Sequence, residues 1–229
     1  MIEEQKQVAI LLEHLQAEDY AAKGSVGLSI SIPEGVNSSM AAEVLKMHLI
    51  EKHSEEIMRL LGIDLNDESL HNLPGRVASL FVNEWFGGLN LANKPAIKLS
   101  ANPSGYKHMT VAKNIEVFTY CACHLVPVIG KAHIGYFSNQ RAIDPSAVQQ
   151  IVKFCCQRPQ TQENLTLRVT AMLKEVFDTN VVAVLIEAIH HCRAGGENSN
   201  RNSSIVTADY SGKFLNTEIK NEFLKYAGH

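Results

Sequence analysis

Residues 115–136 read IEVFTYCACHLVPVIGKAHIGY, and this segment has the apolar spacing of two β-strands around a short connection. In each strand-like stretch every second side chain is apolar or β-branched: Ile115, Val117 and Thr119 in the first, and Ala132, Ile134 and Tyr136 in the second. Alternation with a period of two predicts strands that bury one face. We therefore expect an antiparallel pair.

Two helices are predicted ahead of this pair. The first starts near Ala41 and ends where Gly62 can adopt the left-handed conformation of a C-terminal cap. The second has Pro74 in its first turn and ends at the pair Gly87-Gly88. The predicted divisions are an N-terminal arm at 1–40, a helical extension at 41–95 and a main domain at 96–229.

Helices and a buried strand are also predicted after the pair. Pro145 begins one helix, and an apolar stripe that starts at Leu165 marks another. The valine-rich run Asn180–Ile189 is typical of a buried strand. A polar loop at 197–204 and a terminal helix around Phe223 follow. This mixture of antiparallel strands and helices predicts an α+β fold.

Composition excludes several classes of protein. The net charge of −3 over 229 residues argues against a nucleic-acid binder that depends on phosphate contacts. No apolar run approaches the roughly 20 residues of a membrane span, and the acidic start Met1-Ile2-Glu3-Glu4 lacks the features of a signal peptide. Five cysteines, an odd number close to histidines, favour reduced thiols. We expect a cytoplasmic protein with neither membrane nor nucleic acid as partner.

Three residues have the spacing of a metal site. Cys121 and His124 are three residues apart, and Cys192 follows the distant buried strand. Two thiolates and one imidazole select zinc and leave a fourth position for water, as in catalytic sites. The alternative is that both cysteines are apolar core residues and His124 is a core histidine. Cys155 and Cys156 lie on the apolar side of a predicted helix and are interpreted as core.

Neighbouring polar residues offer further chemistry. His190 lies two residues before Cys192, so an extended strand would place both side chains on one face. It could donate a proton there or only order the local hydrogen bonds. Near the start of the helix after the pair Arg158-Pro159, Glu163 could bind the paired N–H donors of a heterocycle or cap the helix.

Several of these motifs closely resemble the GTP cyclohydrolase I family. They are CACHLVP at 121–127, GKAHIGY at 130–136, QRPQTQE at 157–163 and EAIHHC at 187–192. The likeness extends back through EIMRLL at 56–61 and LPGRVA at 73–78. Because the motifs are independent and occur in the family's order, the resemblance is specific.

The resemblance implies a tunnelling fold, in which antiparallel sheets and paired helices of several subunits form a barrel. The assembly would be a toroidal homo-oligomer, usually a decamer, with active sites at subunit interfaces. The implied site roles are zinc binding by Cys121, His124 and Cys192, proton donation to purine N7 by His190, and guanine recognition by Glu163 with Gln162 nearby. In the implied reaction a water activated by zinc adds at purine C8, the imidazole ring opens, and formate is released. In the family, the ribose then rearranges and closes a pterin ring.

One departure from the family lies inside the metal motif. Cys123 stands where the family has a histidine that is implicated in acid/base steps. Three roles for Cys123 stay open: an inert replacement, a fourth zinc ligand that closes the site, or a new acid/base or nucleophilic group.

A second departure concerns the basic side chains that hold the triphosphate in the family. Without gaps, four of these positions are neutral here: Ser79, Ala147, Gln150 and Gly196. Arg76 and Ser146 remain as candidate substrate-binding residues. Each lost charge-assisted hydrogen bond is worth about 1.5 to 3 kcal/mol, so triphosphate binding would weaken by at least about four orders of magnitude. The alternative is that a neighbouring subunit restores the basic pocket.

These departures favour a zinc-dependent purine hydrolase whose substrate lacks the triphosphate, such as a free base, an oxidised purine or a nucleoside. The first alternative is an authentic GTP cyclohydrolase I that makes dihydroneopterin triphosphate and formate. The second is a catalytically silent paralogue. In it Cys123 occupies the fourth coordination position of the zinc, and the toroid acts as a binding or regulatory protein.

Overall fold

The computed structural model describes residues 38–102, 105–138, 141–193 and 203–229. The chain divides into two compact units between Glu84 and Trp85, which is earlier than the predicted boundary at 95/96. Most of the predicted arm at 1–40 lies outside the described residues, as do Gly196 and most of the predicted loop at 197–204. Among the described residues, no helix is both long and apolar enough to cross a membrane.

The N-terminal unit is built on two helices that pack together, α1 (Ser38–Leu60) and α2 (Leu73–Ser79). Gly62 has a φ of 79°, which confirms the predicted left-handed cap after α1. The second predicted helix extends nearly to the expected end at Gly87-Gly88, but its regular α-helical part stops at Ser79. Leu80–Trp85 continues as a wider π-helical turn, in which hydrogen bonds span one more residue.

The C-terminal unit contains a five-stranded sheet. Its strands are β2 (Met109–Cys121), β3 (Pro127–Phe137), β5 (Pro159–Gln160), β6 (Val182–His190) and β7 (Ser204–Tyr210). Their order across the sheet is β5-β2-β3-β6-β7. A separate two-stranded sheet pairs β1 (Ser100–Ala101) with β4 (Arg141–Ala142). Strands β2, β3, β6 and β7 pair antiparallel in turn, which confirms the predicted antiparallel pair, whereas β5 runs parallel to β2.

Helices cover both faces of this sheet. On one face α3 (Pro145–Cys156) and α4 (Gln162–Phe177) pack against alternate residues of the strands, and the buried members of this core include Val117, Ile134, Tyr136, Ile151, Leu165, Val169 and Ile186. On the other face Phe214 and Phe223, the second of which lies on α5 (Thr217–Ala227), pack against Ala183 and Leu185. Since consecutive strand residues face opposite sides, β6 contributes to both cores. The predicted α+β class is confirmed.

Strand β7 was not predicted from the sequence. Its residues alternate between exposed and half-buried, and none of them is fully buried. The apolar residues Ile205 and Val206 are adjacent and are followed by Thr207, Ala208 and Asp209, so this edge strand has no regular apolar alternation. Its position is fixed by backbone pairing with β6, in which Thr207 lies opposite Ile186.

Gly130 lies where β3 and β6 approach each other closely, near the C-terminal end of β6 that carries His190. Gly130 pairs with Ala188, and a Cβ atom at Gly130 would overlap with the Glu187 carbonyl oxygen and lie 2.5 Å from Ala188 Cα. These are backbone atoms, so relief of the overlap requires the two strands to move apart.

We therefore predict that Gly130→Ala lowers the free energy of unfolding by about 3 kcal/mol, the upper range for overpacking a core. Gly105→Ala is a matched control in the same unit, because nothing lies within 4 Å of its added Cβ while its φ of 62° strains a non-glycine residue. The control should cost about 1 kcal/mol. Chemical denaturation of both variants measures the difference, and equal losses would show that the strands do not approach as closely as described.

Candidate functional site

A tight turn at the end of β2 brings Cys121 and His124 together. The N–H of Cys121 donates to the carbonyl of Val126 at 3.0 Å, and the N–H of Leu125 donates to the carbonyl of Cys121 at 2.9 Å. Leu125 has a φ of 52°, a left-handed conformation that is uncommon outside glycine. The turn leaves His124 Nδ1 4.0 Å from Cys121 Sγ.

The end of β6 brings the distant residues to the same place. Strand β3 lies between β2 and β6, with Val128 opposite both Thr119 and His190. The expectation that His190 and Cys192 share one extended strand is wrong, because β6 ends at His190 and Cys192 lies in the 3-10 turn His191–Arg193. The turn nevertheless directs Cys192 towards Cys121.

Within the described residues, three possible metal ligands form a close group. One ligand atom each from Cys121, His190 and Cys192 lies within 4.8 Å of the others. Two sulfurs and an imidazole nitrogen are the donor set that suits zinc. His124 approaches this group through its contact with Cys121, so both histidines adjoin the thiols.

The environments of the cysteines differ in how readily each thiol ionises. At Cys121 burial opposes the thiolate, but hydrogen bonds from His124, the Cys123 backbone and Cys192 outweigh burial and lower its pKa to about 7. Burial and the neighbouring Cys121 raise the pKa of Cys192. At Cys155 and Cys156, burial raises the pKa to about 12. The thiols near the histidines therefore suit a cation, and the helix thiols are inert core residues, as the sequence predicted.

Gln162 lies beneath His190 and is only 3% exposed. Its Nε2 donates to the carbonyl oxygens of Ile186 at 3.0 Å and Ile205 at 2.8 Å. Its Oε1 lies 2.9 Å from His190 Nε2. The reverse amide orientation would place Oε1 against two carbonyl oxygens, so Oε1 must accept a hydrogen bond from His190. The sequence analysis expected Gln162 near the guanine, but its side chain points into the sheet.

The other predicted site residues occupy exposed positions on separate elements. Cys123 is exposed in the turn after β2, and Glu163 is exposed in the first turn of α4. Ser146 is exposed in the first turn of α3. Arg76 lies on α2, in the N-terminal unit.

Asp144 is a functional candidate that the sequence reasoning missed. It caps α3, and its carboxylate accepts a hydrogen bond from the N–H of Ser146 at 2.8 Å. That hydrogen bond holds the pKa of Asp144 below its ordinary value. An aspartate directly before a proline at the start of a helix is a typical N-cap pattern, so this role was available from the sequence.

The comparisons with known proteins all identify the same family. Residues 50–228 match the sequence model of the family described as GTP cyclohydrolase I. A protein of Flavobacterium johnsoniae named GTP cyclohydrolase 1 is 41% identical over 181 residues, which cover 79% of this chain and 81% of the relative. Proteins of the same name from Edwardsiella ictaluri and Serratia proteamaculans are 36% and 34% identical, covering 79% and 85% of this chain and 82% and 90% of the relatives.

The match to the family model extends over all the motifs at the candidate site. The comparisons confirm the resemblance found in the sequence and the predicted enzyme class, a hydrolase acting on cyclic amidine C–N bonds. The chain belongs to the GTP cyclohydrolase I family.

Proposed function

We propose that this protein is a zinc-dependent hydrolase that adds water at C8 of a guanine-type purine, and that its substrate lacks the triphosphate. The observation that carries this proposal is the convergence of Cys121, His190 and Cys192 within 4.8 Å. A donor set of this kind at the ends of two strands suits a zinc ion that keeps one position open for water.

The zinc would be held by Cys121, His124 and Cys192, with His190 beside it. When bound, zinc supplies a Lewis acid that makes water nucleophilic near neutral pH. His190 donates a proton to purine N7, which makes C8 more electrophilic. Glu163 accepts hydrogen bonds from the paired N–H groups of the guanine edge. Water adds at C8, the ring opens to a formamide, and hydrolysis of the formamide releases formate.

The first turn of α3 supports a substrate without the triphosphate. Ala147, where the family has a lysine, is 4% exposed and buried on the inner side of α3. The N–H of Ser146, a group suited to an anion at a helix N-terminus, already donates to the Asp144 carboxylate. An ionised carboxylate at this position repels a phosphate. Gln150, on the same helix, is exposed and neutral.

Authentic GTP cyclohydrolase I activity is the second candidate. The shared name of relatives that are 34% to 41% identical favours it. It requires basic side chains from a neighbouring subunit, since Ala147 and Gln150 are neutral here. A third candidate is a silent paralogue that serves as a binding or regulatory protein, and it requires the exposed Cys123 to join the close group of possible ligands, which does not include it.

The assembly proposed from the family is a tunnelling-fold toroid, a decamer with active sites at subunit interfaces, in the cytoplasm. Apolar side chains on the N-terminal unit support association with other copies. Ile57 is 58% exposed, Leu60 88% and Leu61 72%, all around the C-terminal end of α1. Exposed apolar surface of this kind is typical of interfaces.

The first test is a substrate screen with the zinc-loaded protein. Guanine, guanosine and GTP are incubated separately, and both purine absorbance and formate are followed. For 8-oxoguanine, whose C8 is already a carbonyl, purine absorbance and carbon dioxide are followed instead. We expect turnover of at least one substrate without phosphates, with a kcat/KM at least about tenfold above that for GTP, which corresponds to roughly 1.4 kcal/mol. Efficient conversion of GTP to formate and a pterin-like chromophore would instead support the second candidate.

Asp144→Asn sharpens this test because asparagine caps a helix as well as aspartate does. If the Asp144 carboxylate repels the triphosphate, the variant should raise kcat/KM for GTP several-fold at low ionic strength and leave guanosine unchanged. The gain should shrink as salt screens the charge. An equal change for both substrates would contradict a role in phosphate discrimination.

The second test concerns the identity of the third protein ligand. We predict that His124→Ala loses zinc, whereas His190→Asn keeps about one zinc per chain and loses turnover, because His190 acts on the substrate. Metal content is measured by mass spectrometry of the intact protein and by elemental analysis. The opposite result would make the close group of Cys121, His190 and Cys192 the ligand set.

X-ray absorption at the zinc edge separates the roles of Cys123. The proposed site has two sulfurs, one nitrogen and one oxygen, and Cys123→Ser should leave that spectrum unchanged. Three sulfurs with no oxygen would support the silent paralogue. Loss of turnover in Cys123→Ser with an unchanged spectrum would assign Cys123 an acid/base or nucleophilic role.

The third test concerns the purine pocket. Glu163→Ala should abolish guanosine binding and leave the zinc content intact, because the carboxylate holds the base and not the metal. Glu175→Ala is the matched control, since Glu175 lies on the same helix and pairs with Lys94 at 2.6 Å. Calorimetric titration measures both variants. Guanosine affinity that survives in Glu163→Ala would contradict this assignment.

A further inference from the structure

His133 is a buried histidine of β3 that lies outside the candidate functional site. Its side chain is 5% exposed. The register between β2 and β3 shifts from Ala112 to Ile115, which leaves two residues of β2, Lys113 and Asn114, opposite His133 alone. This arrangement is a β-bulge, in which Asn114 adopts a left-handed φ of 55°. The bulge gives His133 surroundings that differ from those in a regular strand.

The end of α5 packs over His133. Residues two apart on a strand face the same side, so Gly135 shares a face with His133. A Cβ atom at Gly135 would lie 2.7 Å from Phe223 Cδ2, which shows how closely α5 lies against β3. After the helix, Gly228 adopts a left-handed φ of 97°, as is usual for a C-terminal cap. The ring of His229 is then nearly perpendicular to the ring of His133, with the centroids 6.0 Å apart. The contact between the two imidazoles is therefore part of the docking of α5 on β3.

One nitrogen of the His133 ring is buried without a hydrogen-bond partner. Among the described residues, no group forms a hydrogen bond with Nδ1, and the surrounding protein encloses this atom. The neutral ring can carry its hydrogen on Nε2 and leave Nδ1 without one. The protonated ring carries hydrogens on both nitrogens, so it would bury a charged N–H group that has no acceptor. The docked arrangement therefore suits the neutral ring.

The charges that face His133 mostly oppose its protonation as well. Burial lowers the pKa of His133 most, and the His229 ring, Lys113 of β2 and Lys131 of β3 lower it further. Glu187 of β6 raises that pKa, but its carboxylate also lies 3.9 Å from His229 Nε2. The result is a pKa of His133 below its ordinary value of 6.5.

We propose that the contact of His133 with the end of α5 is a pH-sensitive switch, which holds the helix on the sheet when His133 is neutral and releases it when His133 is protonated. Release gives water access to the ring and removes the His229 ring from its side. Because the released His133 binds a proton more readily than the docked one, docking weakens as the pH falls below about 6.5. It continues to weaken until the docked ring is protonated too. The inference does not depend on the proposed reaction.

Hydrogen exchange of the full-length, zinc-loaded protein tests the switch. Exchange of α5 peptides is followed by mass spectrometry between roughly pH 7.5 and roughly pH 5.5 and corrected for the intrinsic effect of pH, which gives the equilibrium constant for opening of α5. Uptake of one proton on release should raise this constant by up to about tenfold per pH unit below the ordinary pKa. Peptides of α4, on the other face of the sheet, should show a smaller rise. An equal rise in α4, or no rise in α5, would overturn the proposal.

His133→Gln should abolish the rise in α5, because glutamine stays neutral throughout this range. His108→Gln is the matched control, since it removes an exposed imidazole from the same unit, and it should keep the wild-type response. A response that survives in His133→Gln, or that disappears equally in His108→Gln, would contradict the role of His133.

The titration of the wild-type ring decides the question even if His133→Gln does not fold. Solid-state NMR of protein labelled with ¹⁵N-histidine reports the protonation of each ring nitrogen. We expect His133 to be neutral with its hydrogen on Nε2 near neutral pH, and to become protonated only in the pH range in which α5 opens. Protonation of His133 while α5 stays docked would overturn the proposal.

Two charge changes of opposite sign complete the design. Lys113→Gln removes a cation beside His133, so the docked ring accepts a proton more readily and the total rise in the opening constant should become smaller. Glu187→Gln removes the acidic group, so the total rise should become larger. Changes in the reverse directions would show that these charges do not act on His133 as proposed.

Discussion

The site depends on the antiparallel pairing of β3 with two different strands. Strand β3 pairs with β2 on one side and with β6 on the other, and Val128 lies opposite Thr119 and His190. Neighbouring strands are about 4.8 Å apart, so the ends of β2 and β6 are separated only by the start of β3. The turns after these two strands close that gap, which places Cys121 next to Cys192 although the residues are far apart in the chain. A shift of one residue in either register would turn the site residues to the opposite face.

The second constraint is that buried polar groups must form hydrogen bonds. The Gln162 side chain enters the sheet from the first residue of α4 and meets carbonyl groups of both β6 and β7. A primary amide has two donors and an acceptor, so it satisfies strand carbonyls and the His190 ring at once. The same contacts that avoid the cost of burying a polar group therefore also orient the proposed proton donor. Stability and positioning have a common physical cause here.

Much of the fold could be predicted from local patterns. The alternation at Ile115, Val117 and Thr119 produced a strand with that face buried, and the valine-rich run became a buried strand. Gly62 was recognisable as a helix cap because few other residues adopt its conformation. Strand β7 escaped recognition because none of its residues is fully buried, and its pairing with β6 joins residues that are distant in the chain. With β7 missing, the contact between Gln162 and the Ile205 carbonyl could not be foreseen.

The sequence by itself determined the chemistry that is present: thiols and imidazoles at the spacing of a zinc site, motifs of one enzyme family, and neutral residues where that family has basic ones. These properties follow from residue types and local spacing, so they can be recognised in the sequence alone. The tertiary structure decided which groups meet. It ended β6 at His190, turned Cys192 back towards Cys121 and directed Gln162 inward. These outcomes depend on strand register and on the pairing of buried polar groups, which join residues that are distant in the chain.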